Sequence, residues 1–144
     1  MNQLGAGIAI TGSGSATPDV ILDNDRLSQV VETSDEWITS RTGIRERHLA
    51  DVQDSLSAIA TKAAQEAIAM AGIAPTDLDL ILLATSTPDD LFGTACKIQA
   101  ALGAPQAVAF DMTAACSGFV FGLVTAAQFI RAGTYKNVLL IGAD

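Results

Sequence analysis

Between Leu78 and Thr85 the chain reads LDLILLAT, a largely apolar run of buried-strand character. A strand with so little polar alternation is covered on both faces, which calls for helices packed on either side of a mostly parallel sheet. The flanking sequence supplies them. Asp54 or Ser55 opens a long helix whose Leu56, Ile59, Ala60, Ala63, Ala67 and Met70 or Ala71 recur at three- and four-residue steps, and Gly72 ends it. After Pro88-Asp89-Asp90 a second helix is expected from Leu91 to Leu102, closed by Gly103. A strand over Gln106 to Asp111, a helix from beyond Cys116 to Ala132 and a last strand over Asn137 to Ile141 continue the alternation. Upstream, Gly7 to Gly12 reads as a short buried strand, and Asn24 can cap a helix reaching Val31. Thr33 and Glu36 have capping-box spacing for the helix that carries Trp37 and ends near Gly43. The pattern predicts an α/β layered fold in one domain of 144 residues, with ligands outside the carboxyl ends of the strands.

Composition narrows the function. Alanine and glycine supply much of the 49% apolar content, which favours close helix–sheet packing. A net charge of −8 argues against nucleic acid as a partner and leaves no basic patch for anionic lipid or an acidic carrier protein. Two cysteines make no disulfide framework, residues 1–5 lack a signal-peptide pattern, and no apolar run reaches the length of a membrane span. The expectation is a cytoplasmic protein. The chain stops on Leu139-Leu140-Ile141-Gly142-Ala143-Asp144, straight after a core strand, which reads as a fragment.

The chemistry-bearing residues are few. Cys116, in DMTAACSGF, lies where a strand-like run gives way to a helical one. It is either a small core residue or a nucleophile whose thiolate and oxyanion are served by free N–H groups at a helix start. Cys96 reads as mid-helix core packing. His48 could act as a base, but its flanking Arg45 and Arg47 favour a surface or loop-anchoring role. Trp37 and Arg41 share a helix face at i and i+4, which suits a nucleotide base and its phosphates or else a core indole capped by a surface arginine. Gly12-Ser13-Gly14 lacks the third glycine of a dinucleotide turn, no residue set has metal-ligand spacing, and Asp89-Asp90 reads as a solvated turn.

TSDEWI at Thr33 to Ile38 with RTGIRERH at Arg41 to His48 closely resembles the amino-terminal signature of β-ketoacyl-acyl-carrier-protein synthase III. Phe110-Asp111 and Ala114 to Phe119 resemble that family's nucleophile segment, and the likeness runs along essentially the whole chain. The resemblance implies a thiolase-like fold, two α/β halves stacked in αβαβα layers as a homodimer, of which this chain is the first half without its last strand. It implies that Cys116 takes an acyl group, acetyl in the first instance, from acyl-CoA, and that the acyl-cysteine then condenses with decarboxylating malonyl-acyl-carrier-protein to start fatty acid synthesis. Trp37 and Arg41 match the positions that hold the adenine end of CoA, with Thr42 beside them. Phe92, or Leu91 next to it, falls near the residue that shapes the acyl pocket across the dimer.

No cofactor is implied, CoA thioester being a substrate. The histidine, asparagine and glycine-rich loop that complete the family's site lie in its second half, and His48 matches the signature histidine instead. The isolated 144 residues are therefore expected to be inactive in condensation. A related thiolase-fold acyltransferase of polyketide or other secondary metabolism, and a non-catalytic scaffold, are the alternatives.

Overall fold

The computed structural model describes residues 7–144, which fall into two compact units. The amino-terminal residues read above for a leader lie outside the described residues.

One unit spans Thr17–Ser55. Strand β1 (Val20–Asp23) leads into the short helix α1 (Asn24–Leu27), and α2 (Asp35–Thr42) leads into β2 (Glu46–Leu49). The strands pair antiparallel, Val20 opposite Leu49 and Asp23 opposite Glu46. This pairing was not legible in the sequence, where Arg45 to His48 reads as loop. Its strands are short and half solvated, so they lack the apolar run that marks a buried strand.

Both helix caps in this unit differ from expectation. Asp23, not Asn24, caps α1 by accepting from the Arg26 amide at 2.7 Å, and α1 stops at Leu27 with turns continuing to Val31. Ser34, not Thr33, caps α2, accepting from the Trp37 amide at 3.1 Å, so Glu36 completes no capping box. Gly43 does end α2, in the left-handed conformation at φ 72°.

The other unit comprises residues 7–16 and Leu56–Asp144. It holds α3 (Leu56–Ala71), β3 (Leu80–Ala84), α4 (Thr94–Leu102), β4 (Val108–Met112), α5 (Gly118–Arg131) and β5 (Val138–Gly142). The three strands form one parallel sheet in the order β4-β3-β5. Leu82 pairs with Phe110 on one side and Leu140 on the other. Every residue of β3 is buried, as a central strand covered on both faces requires. The core gathers Ala60, Ala64 and Ile68 of α3, Ile81 and Leu83 of β3, Ala95, Ile98 and Leu102 of α4, and Leu139 and Ile141 of β5. Small residues let backbones close in, as at Gly122 of α5, where an added Cβ would meet the Leu140 side chain at 2.6 Å.

Residues 7–12 join no ladder and are mostly exposed, so the expected first strand is corrected. Its composition suits a strand, but its apolar side chains are not buried, Ile10 being 81% exposed. A cleft of about 430 Å³ has residues 8–14 on one side and Val138–Gly142 on the other, walled by α3 and α5. Gly12 and Gly14 lie directly on α3, where a Cβ would come within 2.2 Å of Ala67 O and 2.1 Å of Ala63 O. These glycines serve close packing. Among the described residues no helix is long and apolar enough to cross a membrane.

Candidate active site

Cys116 stands at the carboxyl end of the sheet. It occupies a single 3-10 turn, Ala115–Ser117, between β4 and the first residue of α5. The turn is tight because Ala115 takes a left-handed backbone at φ 45°, the one non-glycine residue to do so among those described. That conformation costs an alanine on the order of 1 kcal/mol and turns the chain sharply out of the strand. Gly118 then packs on the end of β3, where an added Cβ would lie 3.3 Å from that of Ala84. Cys116 is exposed, and its thiol makes no hydrogen bond among the described residues. Within the described residues it is not a core side chain.

The approach to this turn is held by acids. Asp111 of β4 accepts the Thr94 and Ala95 amides, both at 2.7 Å, and so caps α4 from the neighbouring strand. Asp144 accepts the Ser86 amide at 2.6 Å and ties the loop after β3 to the end of β5. Thr85 and Ser86 of that loop line a cavity of about 530 Å³ together with Leu91, Phe92, Cys96 and Met112. Leu91 and Phe92 are 97% and 93% exposed, large apolar side chains offered to solvent at the cavity rim.

Three expectations fail here. The helix expected from Leu91 starts at Thr94, because Gly93 adopts φ 106° and the Asp90 carboxylate draws the Phe92 amide into a turn at 2.8 Å. Cys96 therefore lies in the first turn of α4 and is exposed, not packed in a core; its thiol faces Ala109 O at 3.6 Å.

Asp89 is no solvated turn residue. Its carboxylate accepts the Leu56 amide at 2.8 Å and the Ser57 amide at 3.3 Å, capping α3. Burial pushes its pKa up, but the hydrogen bonds from Ser57 and Leu56, with Lys97 nearby, outweigh that and hold it below the usual carboxylate range. Asp90 is also held low, by the Lys97 ammonium at 2.6 Å and then by the Phe92 amide.

Trp37 and Arg41 come together in the Thr17–Ser55 unit. The guanidinium carbon lies 4.5 Å from the centre of the indole ring, a cation–π stack on the outer face of α2. Trp37 is 53% exposed, so it is not a core indole, and it lines a shallow pocket with Glu32, Thr33 and Ser34. Thr42 is differently occupied. Its hydroxyl donates to Ile38 O at 2.8 Å and accepts the Ile44 amide at 3.1 Å, which finishes the helix. His48 pairs its Nδ1 with Pro18 O at 2.6 Å and so ties β2 to the segment before β1. Sequence reasoning missed Asn24, which is 1% exposed at the centre of this unit. Its amide is a hub, and no local pattern marks it as one.

The chain is similar in sequence and fold to known proteins. Residues 110–144 match the family model described as 3-oxoacyl-[acyl-carrier-protein (ACP)] synthase III. A β-ketoacyl-[acyl-carrier-protein] synthase III of Acaryochloris marina is 68% identical over 144 residues, all of this chain and 43% of that protein. Its counterpart in Trichormus variabilis is 74% identical over 138 residues, 96% of this chain and 42% of that protein. The chain thus spans less than half the length of these curated relatives. The crystal structure of 3-oxoacyl-[acyl-carrier-protein] synthase III from Aquifex aeolicus superposes with a TM-score of 0.91 at 50% identity, over 94% of this chain and 44% of that one. A priming β-ketosynthase of a polyketide pathway gives 0.88 at 31% identity, over 92% of this chain and 40% of that one. The described sheet and helices are thus the α/β arrangement of a thiolase-like fold.

Proposed function

We propose that Cys116 is the acyl acceptor of a β-ketoacyl-[acyl-carrier-protein] synthase III, the family that this chain resembles in sequence and fold. The observation that carries the reading is the exposed thiol on a sharply turned residue at the junction of β4 and α5. The thiolate adds to the carbonyl of an acyl-CoA, and the oxyanion is met by N–H groups at the start of α5. Collapse expels the CoA thiolate, which takes up a proton, and leaves an acyl-cysteine. A malonyl thioester on acyl carrier protein then loses CO2, and its carbanion attacks the acyl carbon. The Cys116 thiolate leaves, and a β-ketoacyl thioester forms.

Trp37 stacks on the nucleotide end of CoA, Arg41 meets its phosphates, and Thr42 serves by shaping the helix end. Leu91 and Phe92 cover the acyl chain in a homodimer, and the protein works in the cytoplasm. His48, engaged with Pro18, is not the base of the decarboxylation. The described residues provide the acyl-accepting part of the site, so the 144 residues alone do not condense substrates.

The test is intact-mass and peptide mapping after incubation with a panel of acyl-CoAs, on the polypeptide extended to the length of its relatives. An acyl adduct on Cys116, lost in Cys116→Ser and kept in Cys96→Ser, is expected. An adduct on Cys96, or none with any acyl-CoA, overturns the assignment. The polyketide-priming alternative is favoured if acetyl-CoA is refused and a longer or branched primer is accepted.

A further inference from the structure

We infer that Asn24 is the positioning residue of the nucleotide-binding plate formed by Trp37 and Arg41, an inference that rests on the CoA role proposed for that pair. Helix α2 has eight residues, too few to hold itself in water, and Ile38 is the one residue it buries. Apolar packing therefore does little to fix where its outer face points. Polar ties do, and they converge on one side chain.

The Asn24 Nδ2 donates to the Asp35 carboxylate at 2.7 Å and to Ile44 O at 2.9 Å, with the Thr39 hydroxyl at 3.4 Å. Its Oδ1 accepts from Arg47 Nη1 at 2.6 Å, and its backbone N–H donates to Arg45 O at 3.2 Å. Asp35 is the first residue of α2, Thr39 lies on its second turn, Ile44 and Arg45 form its exit, and Arg47 sits in β2. One buried amide thus clamps both ends of the helix to the paired strands β1 and β2, and both its donors and its acceptor are used. The clamp is charge-assisted: the hydrogen bond from Asn24, then that from Thr39, holds the Asp35 carboxyl below its usual range. Trp37 and Arg41 lie between the clamped ends. Removing Asn24 leaves their i, i+4 stack possible but frees the helix to tilt and fray.

Trp37 is the single tryptophan of the 144 residues, and the part of the fluorescence that Trp37→Phe removes reports this plate. In the polypeptide extended to the length of its relatives, CoA is titrated into parent, Asn24→Ala, Asn24→Ser and Arg41→Ala forms, well below each melting temperature. Hydrogen exchange of the α2 amides and iodoacetamide labelling of Cys116 are followed alongside. Asn24→Ala is expected to raise the CoA dissociation constant about tenfold and speed α2 exchange about tenfold, with Cys116 labelling unchanged within about twofold. A residue that merely supports the fold would lower Tm and leave the dissociation constant unchanged. If Asn24→Ala does not fold, Asn24→Ser and Asp35→Asn, which takes the charge from the clamp, carry the same comparison. Weaker CoA binding in Arg41→Ala with parent-like binding in the Asn24 and Asp35 variants overturns the role of Asn24 and leaves the CoA site standing. No saturable CoA effect in the parent, or none lost in Arg41→Ala, overturns the CoA reading of the pair and the inference with it.

Discussion

Asp89→Ala should loosen a helix that begins 33 positions earlier in the chain. The carboxylate accepts two of the orphan amides of α3, Leu56 at 2.8 Å and Ser57 at 3.3 Å, from a side chain 12% exposed. Each such cap is worth about 1 kcal/mol. The Lys97 contact at 3.8 Å adds little, because Lys97 is half exposed and keeps its 2.6 Å pairing with Asp90. The expected cost is about 2 kcal/mol, or a Tm lower by about 8 °C for a unit of this size. Asp89→Asn retains one acceptor and should lose about half as much.

The pH dependence has a definite sign. The folded pKa of Asp89 is depressed, so its contribution is fully present above the unfolded carboxylate pKa and is lost as pH falls through the folded value. Thermal unfolding followed by circular dichroism at pH 7 and in steps below about pH 4 should show the parent–variant gap narrowing. A Tm within about 1 °C of the parent at pH 7, or a gap undiminished in acid, would refute the capping argument.

Other outcomes follow from the same geometry. In the protein extended to the length of its relatives, iodoacetamide should alkylate Cys116 faster than Cys96, whose thiol faces Ala109 O, and acyl-CoA should protect Cys116; peptide mass mapping would show the reverse order if the assignment is wrong. Ala115→Gly should leave stability unchanged or raise it by up to about 1 kcal/mol in urea unfolding, because glycine relieves the left-handed backbone; a loss of about that size would contradict it. Gly14→Ala should cost at least about 2 kcal/mol, since its Cβ would meet backbone of α3 at 2.1 Å, whereas Gly133→Ala, open in space but at φ 71°, should cost only about 1 kcal/mol; equal costs would show that α3 yields.

What the sequence disclosed tracks the range of the forces involved. Helix α3, strands β3, β4 and β5 and helix α5 were legible within a few residues, because burial imposes a period and Gly72 and Gly133 mark left-handed stops. The face of α3 was half right: Ala60 is buried as expected, but Ala64 and Ile68 turn inward while Met70 is exposed. Long-range polar contacts left no such trace. Asp89 reaches back to α3, and Asn24 reaches forward to Asp35, Ile44 and Arg47. Of the candidate site, the Trp37–Arg41 stack follows from i, i+4 spacing and the place of Cys116 from the strand-to-helix switch. Cys96 was misplaced because Gly93 and Asp90 delay a helix whose apolar pattern starts earlier.

The strand order β4-β3-β5 also sets a timetable for folding. The central strand, Leu80–Ala84, leaves the ribosome first of the three, with both edges bare and every side chain apolar. No adjacent hairpin can shield it. It waits until α4 has been made for β4 to dock, and until α5 has been made for β5 to dock on the other side. During that interval the nascent chain exposes its most aggregation-prone segment, so soluble yield should depend on translation speed and temperature more than on final stability.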